Sequence, residues 1–219
     1  MCIRRGPARG MKWITGSSVH GCWLGTYELE KQQALARFVR PGMTVYDIGA
    51  QAGFYTLFFS CLAGDAGQIY AFEPCPYDTH FIIDHVRMNG LANVHVIQAA
   101  VAERTELVAM STDRGKMENR IGDVAGTPLI VSSLSLDSLD LPKPDLIKMD
   151  VEGAESAVLK GAQRVLREVR PVVFIALHSP EQSKICAAIL DAADYRVYDL
   201  SGQRVHGIPT VDEIYAVRA

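Results

Sequence analysis

From about residue 44 onward the chain alternates short apolar runs with amphipathic stretches, the pattern of strands set between helices. The runs lie at 44–48, 68–72, 94–97, 146–149, 172–177, 195–198 and 213–217. Between them a helical spacing recurs at about 53–63, 78–89, 154–167 and 181–193. Asn89-Gly90 is a suitable stop for the second helix, because glycine tolerates the left-handed conformation at a helix C-terminus. This alternation predicts an α/β fold, a doubly wound and mostly parallel sheet of seven strands covered by helices.

Two segments break the rhythm. Residues 1–40 precede the first strand and carry one helical period, 27–39, that stops at Arg40-Pro41-Gly42. They are expected to form a short N-terminal extension, in part a lid, on a domain made by residues 41–219. Residues 103–143, rich in Ser, Thr, Gly and Asp, lack a helical period and predict a β-rich insertion. Within it 107–111 and 129–134 are expected to pair as an added hairpin or edge. No internal repeat, low-complexity tract or linker divides the chain further.

Composition adds exclusions. With 219 residues, 48% hydrophobic, 21% charged and a net charge of −3, the sequence describes one globular domain. No run approaches the roughly 18 apolar residues of a membrane span. Met1-Cys2-Ile3-Arg4-Arg5-Gly6-Pro7 lacks the apolar stretch of a secretory signal, so a cytoplasmic location is expected. Cys2, Cys22, Cys61, Cys75 and Cys186 are odd in number and form no C-x-x-C pair, which argues against both a disulfide framework and a structural zinc site. The slight acidity gives no general attraction to phosphate backbones, so nucleic acid is a disfavoured partner. Arg4, Arg5, Arg9 and Lys12 are read as a frayed, solvated basic tip.

The chemistry concentrates at strand ends. A strand that runs through Asp47 into Gly49 and reaches Gly53 four residues later lets the backbone turn tightly and approach a ligand. The spacing is not the G-x-G-x-x-G that seats a pyrophosphate, and Asp47 would repel an anion but attract an ammonium or sulfonium group. Glu73 closes the next strand, 26 residues after Asp47, where a carboxylate can accept bonds from both hydroxyls of a ribose. A nucleoside with positive charge and no phosphate satisfies both sites, and S-adenosylmethionine is such a molecule.

At this point the sequence resembles a known family. Asp47-Ile48-Gly49-Ala50-Gln51-Ala52-Gly53 is similar to the first motif of class I methyltransferases, and Phe72-Glu73-Pro74 to their acidic ribose contact. Leu146-Ile147-Lys148-Met149-Asp150-Val151-Glu152-Gly153-Ala154-Glu155 resembles the I-K-x-D-x-E-G-x-E signature of the FkbM-type methyltransferases. Asn89-Gly90-Leu91-Ala92-Asn93-Val94, Gly42 and the Tyr27-Glu28 pair extend the resemblance over about residues 25 to 200. Gln51 departs from the family, which usually has Asn there.

The resemblance implies a Rossmann-like class I methyltransferase sheet with the last strand, 213–217, antiparallel. It also implies methyl transfer from S-adenosylmethionine to a hydroxyl of a sugar, glycan, glycolipid or polyketide-like acceptor. Carried over by position, Asp47, Gly49 and Gly53 would line the methionine end of the cofactor, Gln51 would belong to the same cofactor-binding loop, Glu73 would bind the ribose, and Ala99 and Ala100 would border the adenine. Tyr27 and Glu28 could fold over the cofactor, and Arg114, Lys116, Asn119 and Arg120 could meet a polar or anionic acceptor.

An alcohol acceptor must lose its proton during transfer, and a positioned base typically contributes about 10²–10⁴-fold. Asp150 and Glu152 follow one strand and His178 follows the next, so these three are the candidate catalytic residues, with Asp150 also beside the transferable methyl. Asp150 could instead cap the helix starting near Gly153, Glu155 could serve that helix's dipole, and His178 could bond the Ser179-Pro180 turn. Asp150, Glu152 and His178 could together take a divalent ion, though a direct base is preferred. His20, His80, His85, His95 and His206 are read as surface or packing residues.

Three rival functions remain to be weighed. The glycine spacing and Asp47 disfavour a nicotinamide-dependent oxidoreductase, and intact Asp47, Glu73 and Asp150 disfavour a non-catalytic module. A methyltransferase acting on nitrogen or RNA should carry an N/D-P-P-Y-like loop, which Asp150-Val151-Glu152-Gly153 is not.

Overall fold

The computed structural model describes residues 1–111 and 128–219. Arg114, Lys116, Asn119 and Arg120 lie outside the described residues. In chain order the strands are β1 (Thr44–Ile48), β2 (Gln68–Phe72), β3 (Val94–Ile97), β4 (Ala100–Val101), β5 (Glu106–Met110), β6 (Leu129–Leu134), β7 (Leu146–Met149), β8 (Val172–Ala176), β9 (Tyr195–Asp199), β10 (Arg204–Val205) and β11 (Glu213–Arg218). The helices are α1 (His20–Leu24), α2 (Leu29–Ala36), α3 (Phe54–Ala63), α4 (Pro76–Asn89), α5 (Glu155–Lys160) and α6 (Pro180–Ala192).

The main sheet has the order β10-β9-β11-β8-β7-β1-β2-β3. β1, β2, β3, β7 and β8 are mutually parallel, and β11 runs antiparallel to both β8 and β9. All seven expected strands take part, and the two-residue β10, paired antiparallel to β9, adds an eighth. The side-chain period of two divides the strands between two cores. Tyr46, Ile48, Ile147, Met149, Val173 and Ile175 pack with α5 and α6, whereas Val45, Ile69, Leu146 and Phe174 pack with α2, α3 and the N-terminal segment. Polar positions on the second face are correspondingly enclosed, which is how Asp47 and Lys148 come to be buried.

The expected hairpin forms, with β5 antiparallel to β6 and β4 alongside β6 in a separate three-stranded sheet. The helix expected over 154–167 is interrupted: α5 ends at Lys160, and a π-helical turn follows at Val165–Val169. Gly161 lies at the break: its carbonyl oxygen accepts from the Asp137 N–H and the Ser135 hydroxyl, each at 2.9 Å, instead of from the next helical turn, and a Cβ there would stand 2.1 Å from the Ala102 carbonyl oxygen. The basic tip is not frayed. Ile3 and Trp13 are buried, Trp13 stacks on His85 at 4.0 Å, and the Ile14 N–H donates to His85 Nε2 at 2.9 Å. His85 is thereby a packing residue that fastens the N-terminal segment to α4. All five cysteines are free thiols, and no helix of the described residues is long and apolar enough to cross a membrane.

Candidate active site

Parallel strands put their carboxyl ends on one edge of the sheet, and the loops leaving β1, β2 and β7 open there into a common cleft. The cleft is open to solvent on one side and walled by residues from all three loops. Gly49, Ala50, Gln51, Glu73, Ala99, Ala100, Asp150 and Glu152 line it, together with the aromatic rings of Tyr27, Phe54 and Tyr55 and the buried Lys148.

The glycine turn behaves as its spacing requires. Gly49 has φ +72°, and a Cβ on it would lie 1.9 Å from the Asp150 carbonyl oxygen, so the β1 and β7 loops touch backbone to backbone. Gln51 follows in the left-handed region at φ 49°, a conformation in which Asn is the more comfortable side chain. Its backbone N–H donates to Glu73 Oε2 at 2.9 Å, and the Cys75 N–H donates to Glu73 Oε1 at 2.9 Å. Burial pushes the Glu73 carboxyl up to about 7, against the lowering effect of these two donors. The acid expected to meet a ribose is therefore fixed in place at the cleft wall.

Asp47, Gly53 and Glu28 stand behind the walls. Asp47 is fully enclosed, and the β1–β7 register sets it beside Lys148, whose Nζ is 3.2 Å from Asp47 Oδ1 and 3.0 Å from the Gly49 carbonyl oxygen. Thr56 Oγ1 donates to Asp47 Oδ2 at 2.7 Å. Asp47 thus braces the turn through Lys148, and the cationic group at the cleft is the lysine rather than a free carboxylate facing a ligand. Gly53 begins α3 at φ +88° against Ile82. Glu28 accepts from the Tyr55 hydroxyl at 2.8 Å and pairs with Lys31 at 2.8 Å, while Gln32 Nε2 holds the Tyr27 carbonyl at 2.5 Å. The Tyr27-Glu28 segment covers the cleft through Tyr27 alone.

The three candidate bases converge. His178 Nε2 lies 3.5 Å from Asp150 Oδ1 and 3.5 Å from Glu152 Oε2, and its Nδ1 is 2.5 Å from Oε1 of the fully buried Glu155. The bond to Glu155 raises the imidazole pKa above its ordinary 6.5, against burial, and Glu152 and Asp150 add to the rise. Asp150 moves the other way: burial raises it, but Lys148, Lys31 and His178 together hold the carboxyl below its ordinary 3.8. Glu152 reaches the group from a left-handed backbone at φ 46°. Such strain in a non-glycine residue persists where the surroundings enforce it, commonly at functional sites. Asp150 is not the cap of α5, whose N-cap is Ala154, and the Ser179-Pro180 turn caps α6 through the Ser179 side chain without His178. Donor atoms of Asp150, Glu152 and His178 all lie within 4.8 Å of one another, so the group could accommodate a cation, while a protonated His178 already matches the two carboxylates.

Two further residues at this edge, Lys31 and Glu213, carry no local signal in the sequence. Because β11 is antiparallel, its first residue, Glu213, sits opposite Ala176 at the carboxyl end of β8, and it pairs there with Lys31 from α2. Burial pushes Glu213 up to about 7, against the opposing pull of Lys31. Glu73 and Glu213 therefore make the same pH statement. Between the ordinary 4.5 and about 7 the folded chain keeps protons that the unfolded chain releases, so these groups make stability fall as pH rises through that window. Denaturant unfolding of the protein and of Glu213→Gln at about pH 5 and about pH 7.5 checks this, the variant losing less stability between the two. An equal loss in both proteins would contradict the assignment.

Comparison with known proteins agrees with this geometry. The model of the methyltransferase FkbM domain matches residues 47–201. Hexuronic acid methyltransferase AglP of Haloferax volcanii is 25% identical over 159 residues, covering 68% of this chain and 62% of that protein. Ribosomal RNA large subunit methyltransferase E of Alkalilimnicola ehrlichii is 34% identical over 84 residues, covering 38% of this chain and 35% of that protein. The chain thus spans between about a third and somewhat under two thirds of the length of these curated relatives. Among solved structures, the methyltransferase FkbM of Methylobacillus flagellatus KT superposes with a TM-score of 0.58 at 19% identity, over 88% of this chain and 51% of that one. With most of its length matched by the family model, the chain belongs to the FkbM methyltransferase domain family.

Proposed function

We propose that this methyltransferase moves the methyl group of S-adenosylmethionine to a hydroxyl oxygen of a sugar, glycan, glycolipid or polyketide-like acceptor. The observation that carries the reading is Asp150: it lies on the cleft wall at the end of β7, with Oδ1 toward His178, so a deprotonating pair stands where the β1 and β7 loops meet.

The residues of the cleft fit the cofactor. The Glu73 carboxyl, held by two backbone N–H groups, is placed for ribose hydroxyls, and Ala99 and Ala100 offer a small apolar wall for a base. The charge of Lys148 is balanced by Asp47, so it need not repel a cationic ligand. When bound, the cofactor would supply an electrophilic methyl group and a neutral thioether as leaving group. The chain's own task is to orient the attacking oxygen and take its proton. Asp150 accepts the hydroxyl's proton as the oxygen–methyl bond forms and hands it from Oδ1 to His178 Nε2, and Glu155 stabilises the resulting imidazolium from Nδ1. Because His178 must be neutral to act, activity should rise as pH rises through its elevated pKa.

AglP, a hexuronic acid methyltransferase by name, supports a sugar acceptor. Incubation with methyl-labelled S-adenosylmethionine and separate pools of glycans, glycolipids, hydroxylated small molecules and RNA tests the reading. Label on a hydroxyl of one of the first three pools is expected. Label on nitrogen, or on RNA alone, would overturn it.

A further inference from the structure

The proton-taking pair is touched by a buried ammonium that the mechanism does not use. Lys31 of α2 is 3% exposed, and three carboxylates from three elements surround it: Glu28 at 2.8 Å, Asp150 Oδ2 at 3.4 Å, and Glu213 at the start of β11. The Tyr55 ring, its centroid 5.6 Å from Nζ, closes the remaining side. Burying a charge is costly, and a well-packed apolar residue usually joins a helix to a sheet at least as well. A lysine here is explained by where its charge goes. One oxygen of Asp150 takes Lys31, and the other faces His178 Nε2 at 3.5 Å.

We infer that Lys31 is a positioning residue of the methyl-transfer site, gripping Oδ2 of Asp150 from the N-terminal segment so that Oδ1 stays turned to His178. This deepens the proposed function and rests on it. On this view the N-terminal segment does more than place Tyr27 on the cleft, since Lys31 supplies one of the charges, with Lys148 and His178, that act on Asp150. The ammonium is accessible to Asp150 only while α2 is seated, which ties the orientation of the base to the packing of the N-terminal segment.

The test is a nuclear magnetic resonance titration of the His178 ring in the full-length protein, with the signal assigned by its loss in His178→Gln. Asp150, Glu152 and Glu155 face that ring, and Glu28, Asp150, Glu213 and the Tyr27 and Tyr55 phenols surround Lys31, with Lys148 also acting on Asp150. With the ammonium removed, one of the positive charges that offset Asp150 is gone and Lys148 remains, so Lys31→Met should raise the His178 midpoint by about one pH unit, and Lys31→Arg should keep it within a few tenths. Should Lys31→Met fail to fold, Lys31→Gln, which keeps a donor but no charge, should show the same rise. A midpoint unchanged in the charge-free variant that folds overturns the inference, because a purely structural lysine would leave the ring's titration alone. The readout needs no methyl acceptor, so it stands apart from the label-transfer result that decides the proposed function.

Discussion

Gly49→Val should abolish cofactor binding. The residue sits at φ +72°, where a β-branched side chain is strained, and its Cβ would fall 1.9 Å from the Asp150 carbonyl oxygen and 2.9 Å from the carbonyl carbon. Neither atom belongs to a side chain that could swing aside, so the β1 and β7 loops must part. Parting them moves Gln51 off Glu73 and Asp150 off Lys31 and His178. The expected result is a loss of S-adenosylhomocysteine affinity beyond about 100-fold, with a stability loss on the order of 4 kcal/mol. Gly90→Ala is the control. It shares a positive φ of +63°, but nothing stands within 4 Å of its Cβ, so it should cost only about 1 kcal/mol and spare binding. Calorimetry and thermal unfolding of the two variants separate backbone strain from the close approach. Retained affinity in Gly49→Val would mean that the loop does not hold the ligand.

The second large effect is expected at the base. Asp150→Asn and His178→Gln keep approximate size while removing a proton acceptor, and each should lose on the order of 10²–10⁴ in kcat, with cofactor affinity changing far less. Glu155→Gln gives a finer test. It leaves Asp150 and His178 in place but replaces the carboxylate that raises the imidazole pKa, so the rise of activity with pH should move to lower pH. Activity in the protein should survive EDTA. Near-native kcat in both base variants would remove the pair from the mechanism, and activity that vanishes with EDTA and returns with Mg²⁺ would put a cation in the place of the base.

The parts that sequence made legible are those with local causes. The strand and helix periods, the left-handed Gly49, the carboxylate at the end of β2 and the acidic group after β7 each follow from a few neighbouring residues, and the structure brings the last three to one cleft. What was hidden depends on contacts distant in the chain. Asp47 looked like a ligand group because nothing local shows that the β1–β7 register would set Lys148 against it. Nothing in the residues next to Lys31 or Glu213 shows that they will meet. The antiparallel direction of β11 is what carries Glu213 to the edge where Lys31 is buried. The break after α5 is equally nonlocal, since Gly161 there meets Ala102, Ser135 and Asp137.

The central claim is that this cleft holds a nucleoside methyl donor by its ribose on Glu73, with the transferable group toward Asp150. Calorimetric titration of the protein and of Glu73→Ala with S-adenosylhomocysteine, alongside NAD, tests it most directly. Charged hydrogen bonds contribute about 1.5–3 kcal/mol each, so the account predicts binding by the unaltered protein, a loss of roughly 10–150-fold in Glu73→Ala, and little affinity for NAD in either. Equal affinity in the two proteins, or NAD bound as tightly as S-adenosylhomocysteine, would contradict it.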